Sequence, residues 1–86
     1  MKQRIYRFPA NQRAQAATLS GQLLKIMEEA REVLQAYDEK EGSARVIEEL
    51  WDLIQAAEGA LRKFPLSDVI KGFILVKLKS RKRGDY

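Results

Sequence analysis

Between residues 19 and 37, Leu19, Leu23, Ile26, Met27, Ala30, Val33, Leu34 and Tyr37 recur at steps of three and four. That is the period of an amphipathic helix with one apolar stripe. The surrounding residues are strong helix formers without proline, and Asn11 suits an N-cap, so a helix is predicted from there to about Lys40. Ser20-Gly21 is its weak point, at which it could instead begin. Gly42 is a natural stop and Ser43 a natural N-cap for a second helix, from about Ala44 to Lys63, with Val46, Ile47, Leu50, Leu53, Ile54, Ala57 and Leu61 as its stripe. The short connection predicts an antiparallel hairpin. Pro65 ends that helix. Ser67 and Asp68 cap a third from about Asp68 to Ser80, although Phe73-Ile74-Leu75-Val76 has strand-like propensity. Pro9 makes residues 1–10 an arm, and residues 81–86 read as a basic tail. The predicted fold is one all-α domain spanning 1–86: a helical hairpin plus a shorter C-terminal helix, completing a four-helix-type bundle by oligomerisation.

Size supports the last point. A chain of 86 residues buries only about 60–65% of its unfolded surface, so three helices leave an apolar face over. The chain has neither cysteine nor histidine, which excludes disulfides, a thiolate nucleophile, Cys/His zinc sites and a Ser-His-Asp triad. The longest apolar run is too short for a bilayer, and no signal peptide follows the basic N-terminus, so a cytoplasmic protein with no membrane partner is expected. Charge alternates in blocks: residues 1–13 carry four positive and no negative charges, residues 14–66 a net −4, and residues 67–86 a net +4.

The acidic centre holds a repeat offset by 20 residues. Ile26 to Ala36 lies over Val46 to Ala56, each copy with an acidic pair and a further carboxylate three residues on. Glu29 and Glu32 share one flank of the first stripe, and Glu49 and Asp52 share the equivalent flank of the second. In an antiparallel hairpin these flanks face the same side. Four carboxylates should converge there, with Glu32 roughly level with Asp52 if the turn centres near Gly42. Lys25, Arg31 and Arg45 cannot neutralise the set. An all-oxygen, histidine-free group of this kind suits Mg²⁺ or Mn²⁺, which would activate a water for attack on phosphorus. The competing reading is a solvated face with ordinary helix ion pairs, as expected for Glu58 and Arg62 at i,i+4.

These residues resemble the MazG family of all-α nucleoside triphosphate pyrophosphohydrolases, whose pattern is ExxE, a spacer, then ExxD. Here Glu28 and Glu29-x-x-Glu32 form the EExxE variant, and Glu49-x-x-Asp52 follows after 16 residues. The likeness covers about residues 20–60, with a weaker match at the end. There Lys79-Ser80-Arg81-Lys82-Arg83-Gly84 resembles a Lys-Asn-x-x-Arg-Gly pattern, with Ser80 in place of the asparagine. The resemblance implies Mg²⁺-dependent cleavage of a nucleoside triphosphate to a monophosphate and pyrophosphate. Glu29, Glu32, Glu49 and Asp52 would hold the metal, and Lys79 and Arg83 would bind substrate phosphates. It also implies a homodimer or homotetramer.

Trp51 could stack on a base or fill an oligomer interface, the latter being favoured, while Tyr6, Phe8 and Tyr37 read as packing residues. The alternative function is a non-catalytic helical module that binds nucleic acid through its basic ends or a protein through its apolar face. The acidic centre would repel a polyanion, so nucleic acid is not the expected partner.

Overall fold

Thr18 divides the first predicted helix in two. Its hydroxyl accepts from the Gly21 N–H at 3.0 Å and Ala17 before it is extended, so a new helix starts there rather than at Ser20-Gly21. The computed structural model describes residues 5–84. It contains α1 (Gln12–Ala16), α2 (Leu19–Asp38), α3 (Ser43–Leu61) and α4 (Leu66–Lys82), with no strand among the described residues. Asn11 caps α1 as expected, its side chain accepting from the Arg13 and Ala14 N–H groups. The chain is all-α, and α2 and α3 form the expected hairpin.

The turn differs in detail from the expectation. Ser43 is the first helical residue of α3, and Gly42 takes the N-cap position at φ 98°, a left-handed conformation suited to glycine. Helix α2 closes earlier, with Lys40 at φ 55°. The Glu41 N–H bonds the Ala36 carbonyl at 3.1 Å and the Lys40 N–H bonds that of Tyr37 at 3.1 Å. This is a Schellman closure with lysine where glycine is usual. Helix α4 starts at Leu66 behind Pro65 and runs to Lys82, longer at both ends than predicted. Part of the expected basic tail is therefore helical; Gly84, at φ 76°, follows the last turn.

The seam between α2 and α3 takes in only part of the predicted apolar stripes. Buried on α2 are Gln22, Glu29 and Ala36, with Ile26 and Val33 half-buried between them. That seven-residue spacing is a helix-packing seam. On α3 the buried residues are Glu49, Ala56, Glu58, Gly59 and Ala60. On α3, Val46, Leu53 and Ala57 are half-buried, whereas Leu23, Met27 and Leu34 on α2 and Ile47, Leu50 and Ile54 on α3 are exposed, Met27 at 70%. Tyr37, read as a packing residue, is 69% exposed. On α4, Val69 is buried, whereas Leu66, Phe73, Ile74, Leu75, Val76 and Leu78 are exposed.

Glycine and amide chemistry hold the seam together. The Gln22 amide donates to the Ala56 carbonyl at 3.0 Å, within the core. A Cβ on Gly59 would sit 2.8 Å from the Gln22 amide nitrogen and 3.0 Å from the Ala14 Cβ, so the absent side chain lets α1 and α2 approach α3. The Lys63 ammonium donates to the Ala17 carbonyl, tying the end of α1 to the end of α3. The chain exposes 7239 Å², against about 5,200 Å² for a compact monomer of its mass. Its radius of gyration is 14.8 Å, against about 12 Å for such a monomer.

The described part of the arm lies across α3. The Glu58 carboxylate accepts the Arg7 N–H at 2.9 Å and the Phe8 N–H at 3.0 Å, and Arg62 donates to the Phe8 carbonyl at 2.6 Å. Glu58 and Arg62 thus grip the arm, a role that an ordinary i,i+4 helix pair does not have. Arg62 also stacks over Tyr6 at 4.1 Å, Arg7 approaches Trp51 at 5.9 Å, and Phe8 meets Trp51 edge-on at 6.1 Å. Tyr6 and Phe8 are packing residues as expected, and the arm covers part of Trp51.

Candidate metal centre

The hairpin register decides which carboxylates meet. Gln22 reaches Ala56, and Glu29 lies beside Glu49. On this register Glu32 is level with about Val46, and Asp52 with about Ile26. The expected level pairing of Glu32 with Asp52 is therefore wrong, because the turn centres near Glu39 instead of Gly42. At 1.5 Å rise per residue, Asp52 sits about 9 Å along the axis from Glu32.

Three of the four predicted ligands come together. One carboxylate oxygen from each of Glu29, Glu32 and Glu49 lies within 4.8 Å of the others. Around an Mg²⁺ octahedron neighbouring oxygens are about 3.0 Å apart and opposite ones about 4.2 Å, so side-chain rotation of the order of an ångström or two would bring this set onto one cation. Asp52 is half-buried one turn away and shares a cavity wall with Glu29.

Charge balance in the cluster is incomplete. Lys25 pairs with Glu29 at 2.8 Å, and Arg45 pairs with Glu49 at 2.5 Å and with Glu48 at 3.0 Å. The Lys25–Glu29 and Arg45–Glu49 pairs place the cation four residues before the acid, the weaker order for a helix ion pair. Glu49 is only 3% exposed, and its second oxygen, Oε2, is buried without a hydrogen-bond partner. A buried anionic oxygen left in this way bears its desolvation cost, about 1–3 kcal/mol or more, with no hydrogen bond to offset it. Glu32 is held above the ordinary carboxylate range, first by the charge of Glu29, then by lost solvation and by Glu49. Lys25 is held above its ordinary value mainly by its hydrogen bond to Glu29. The orphaned Glu49 oxygen and the all-oxygen donor set fit a hard divalent cation.

A cavity of about 570 Å³ adjoins the cluster, bordered by Glu29 and Asp52 on the acidic side and by Arg13, Lys25, Gln22 and Gln55 elsewhere. Lys79 and Arg83 do not border it. They lie in the last turn of α4 and at its C-cap, both exposed. The sequence pattern does not reveal the cavity or its Arg13 wall, because the helix-forming residues of α1 run on into α2 without a proline or glycine between them. The one available signal was Thr18, a good N-cap in the middle of the stretch. In comparisons with known proteins, no family model matches the chain, and no curated protein or solved structure matches it significantly.

Proposed function

We propose that this chain is a Mg²⁺- or Mn²⁺-dependent nucleotide pyrophosphohydrolase of the MazG-like kind, cleaving a (d)NTP to a (d)NMP and pyrophosphate in the cytoplasm as a homodimer or homotetramer. One observation carries the reading: the helix seam buries Glu29 and Glu49 while Leu23, Leu34 and Leu50 are exposed, and one buried carboxylate oxygen has no partner. A hairpin selected only for stability would invert that arrangement. Glu29, Glu32 and Glu49 would hold the cation. Asp52, one turn along, would join from the cavity side. The cation supplies a Lewis acid beside the phosphoanhydride. The surplus of roughly 2,000 Å² over a compact monomer supports the oligomer, since an obligate interface buries about 1,000–2,500 Å² per partner.

The test is pyrophosphate release across canonical and damaged dNTPs with Mg²⁺ or Mn²⁺. Turnover that disappears with EDTA, in Glu49→Gln and in Asp52→Asn supports the reading. The uncovered apolar faces of α2, α3 and α4 favour a second reading, a non-catalytic module that binds a protein partner. No turnover across the panel, together with no cation effect on stability, would select it.

A further inference from the structure

The cavity beside the carboxylates combines features that the cation cluster alone does not explain. Its far wall is α1, set against α3 by the missing side chain of Gly59 and by the Lys63 contact to Ala17. Arg13 on α1 and Lys25 on α2 bring two positive charges to a space that Glu29 and Asp52 also border. Lys25 already reaches Glu29 at 2.8 Å, so its ammonium stands at the boundary between cavity and cluster. Gln22 and Gln55 add amides. Asn11 and small residues complete the lining, and among the described residues no aromatic ring borders it. A volume of about 570 Å³ falls within the range of small-molecule sites.

We infer that this cavity is an oxyanion subsite in which Arg13 and Lys25 hold the phosphate groups of a substrate whose reacting end meets the carboxylate cluster. The inference rests on the proposed function and names the residues that would bind its substrate there. A guanidinium matches phosphate geometry through paired N–H donors. Without a ring to stack a base, recognition in this space is of phosphate and sugar. The two bordering carboxylates repel a bare polyanion, so phosphate binding should require the divalent cation. The subsite lies within one hairpin and its preceding turn, whereas Lys79 and Arg83 are carried on a different helix.

The experiment is calorimetric titration of the full chain with tripolyphosphate, with saturating Mn²⁺ and with EDTA. Wild type, Arg13→Ala, Arg13→Lys and Lys79→Ala are compared, with pyrophosphate release from dNTPs measured in parallel. Arg13 is exposed and alanine is the better helix former, so the variant should keep its helicity by circular dichroism. Expected are Mn²⁺-dependent binding, weakening of about tenfold or more in Arg13→Ala with partial recovery in Arg13→Lys, and affinity for Mn²⁺ alone unchanged within about twofold. Failure of the wild type to bind tripolyphosphate, or equal affinity in wild type and Arg13→Ala, overturns the subsite. Arg13-dependent binding without any dNTP turnover leaves the subsite standing and removes the hydrolase. Turnover whose KM is indifferent to Arg13 does the reverse.

Discussion

Replacing Glu49 with glutamine removes one charge from the cluster at nearly constant volume, and its effect should change sign with the cation. In EDTA, the repulsion between Glu49 and Glu29 is relieved. Their oxygens lie within 4.8 Å of each other, and at an effective dielectric constant of about 20 a separation of that size corresponds to about 3.5 kcal/mol of repulsion before the offset from Lys25 and Arg45. The variant also loses the Arg45 ion pair. Arg45 is 47% exposed and rehydrates, so that loss is at most about 1 kcal/mol. The net expectation is a gain of about 1–2 kcal/mol, or about 4–16 °C in Tm for a chain of this length. With Mn²⁺ at a hundred times its dissociation constant, the parent gains about 2.7 kcal/mol, or about 10–20 °C. The variant lacks a ligand and should respond little. Thermal melts at fixed protein concentration should therefore show the order of Tm inverting between EDTA and Mn²⁺. A Glu49→Gln protein that is less stable than the parent in EDTA, with the same response to Mn²⁺, would refute the reasoning. It would show that the cluster is an ordinary set of ion pairs.

Three further outcomes follow from the same contacts. Because the Glu32 carboxyl is raised in the folded chain, that chain holds its proton more tightly than the unfolded chain does; the destabilisation is absent below the ordinary value of 4.5 and complete above the raised one. In cation-free buffer, stability should thus fall as pH rises through the weakly acidic range, and Glu32→Gln should flatten that fall; superimposable pH profiles would contradict the assignment. Gly59→Ala gains about 1 kcal/mol of helix propensity but drives a methyl against Gln22 and Ala14. A net loss of about 1–2 kcal/mol in urea unfolding is expected, with rescue by Gln22→Ala, and a variant more stable than the parent would show that α1 and Gln22 yield freely. Glu58→Ala leaves the Arg7 and Phe8 N–H groups without their acceptor. It should cost about 1–3 kcal/mol and speed tryptic cleavage after Arg7, whereas an unchanged cleavage rate would mean that the arm is held by its rings alone.

The hairpin was legible because its two stripes, its glycine turn and its proline stop all act locally. Its register was not. Where Lys40 enters the left-handed region depends on the closure of α2 onto Ala36, and moving the turn centre by three residues separates Asp52 from Glu32. Period alone also locates only part of the buried face. Of the broad apolar stripe on α2, Ile26 and Val33 line the seam while Leu23, Met27 and Leu34 stay exposed, and the hairpin packs through Gln22, Glu29 and Ala36, whose seven-residue spacing is masked by the polarity of the first two. The arm was unreadable for another reason: Glu58 and Arg62 suit each other as helix neighbours, and only the fold brings Phe8 between them. Helix α4 shows propensity overruled in its own segment, since Phe73 to Val76 are helical despite their preference for strand.

Trp51 is the chain's single tryptophan, and it stands on α3 between Glu49 and Asp52 with the arm's Phe8 against its edge. Its indole is thus a built-in fluorophore for both events at once. Emission that shifts on releasing the arm and emission that responds to manganese can be followed in one cuvette, with no label attached.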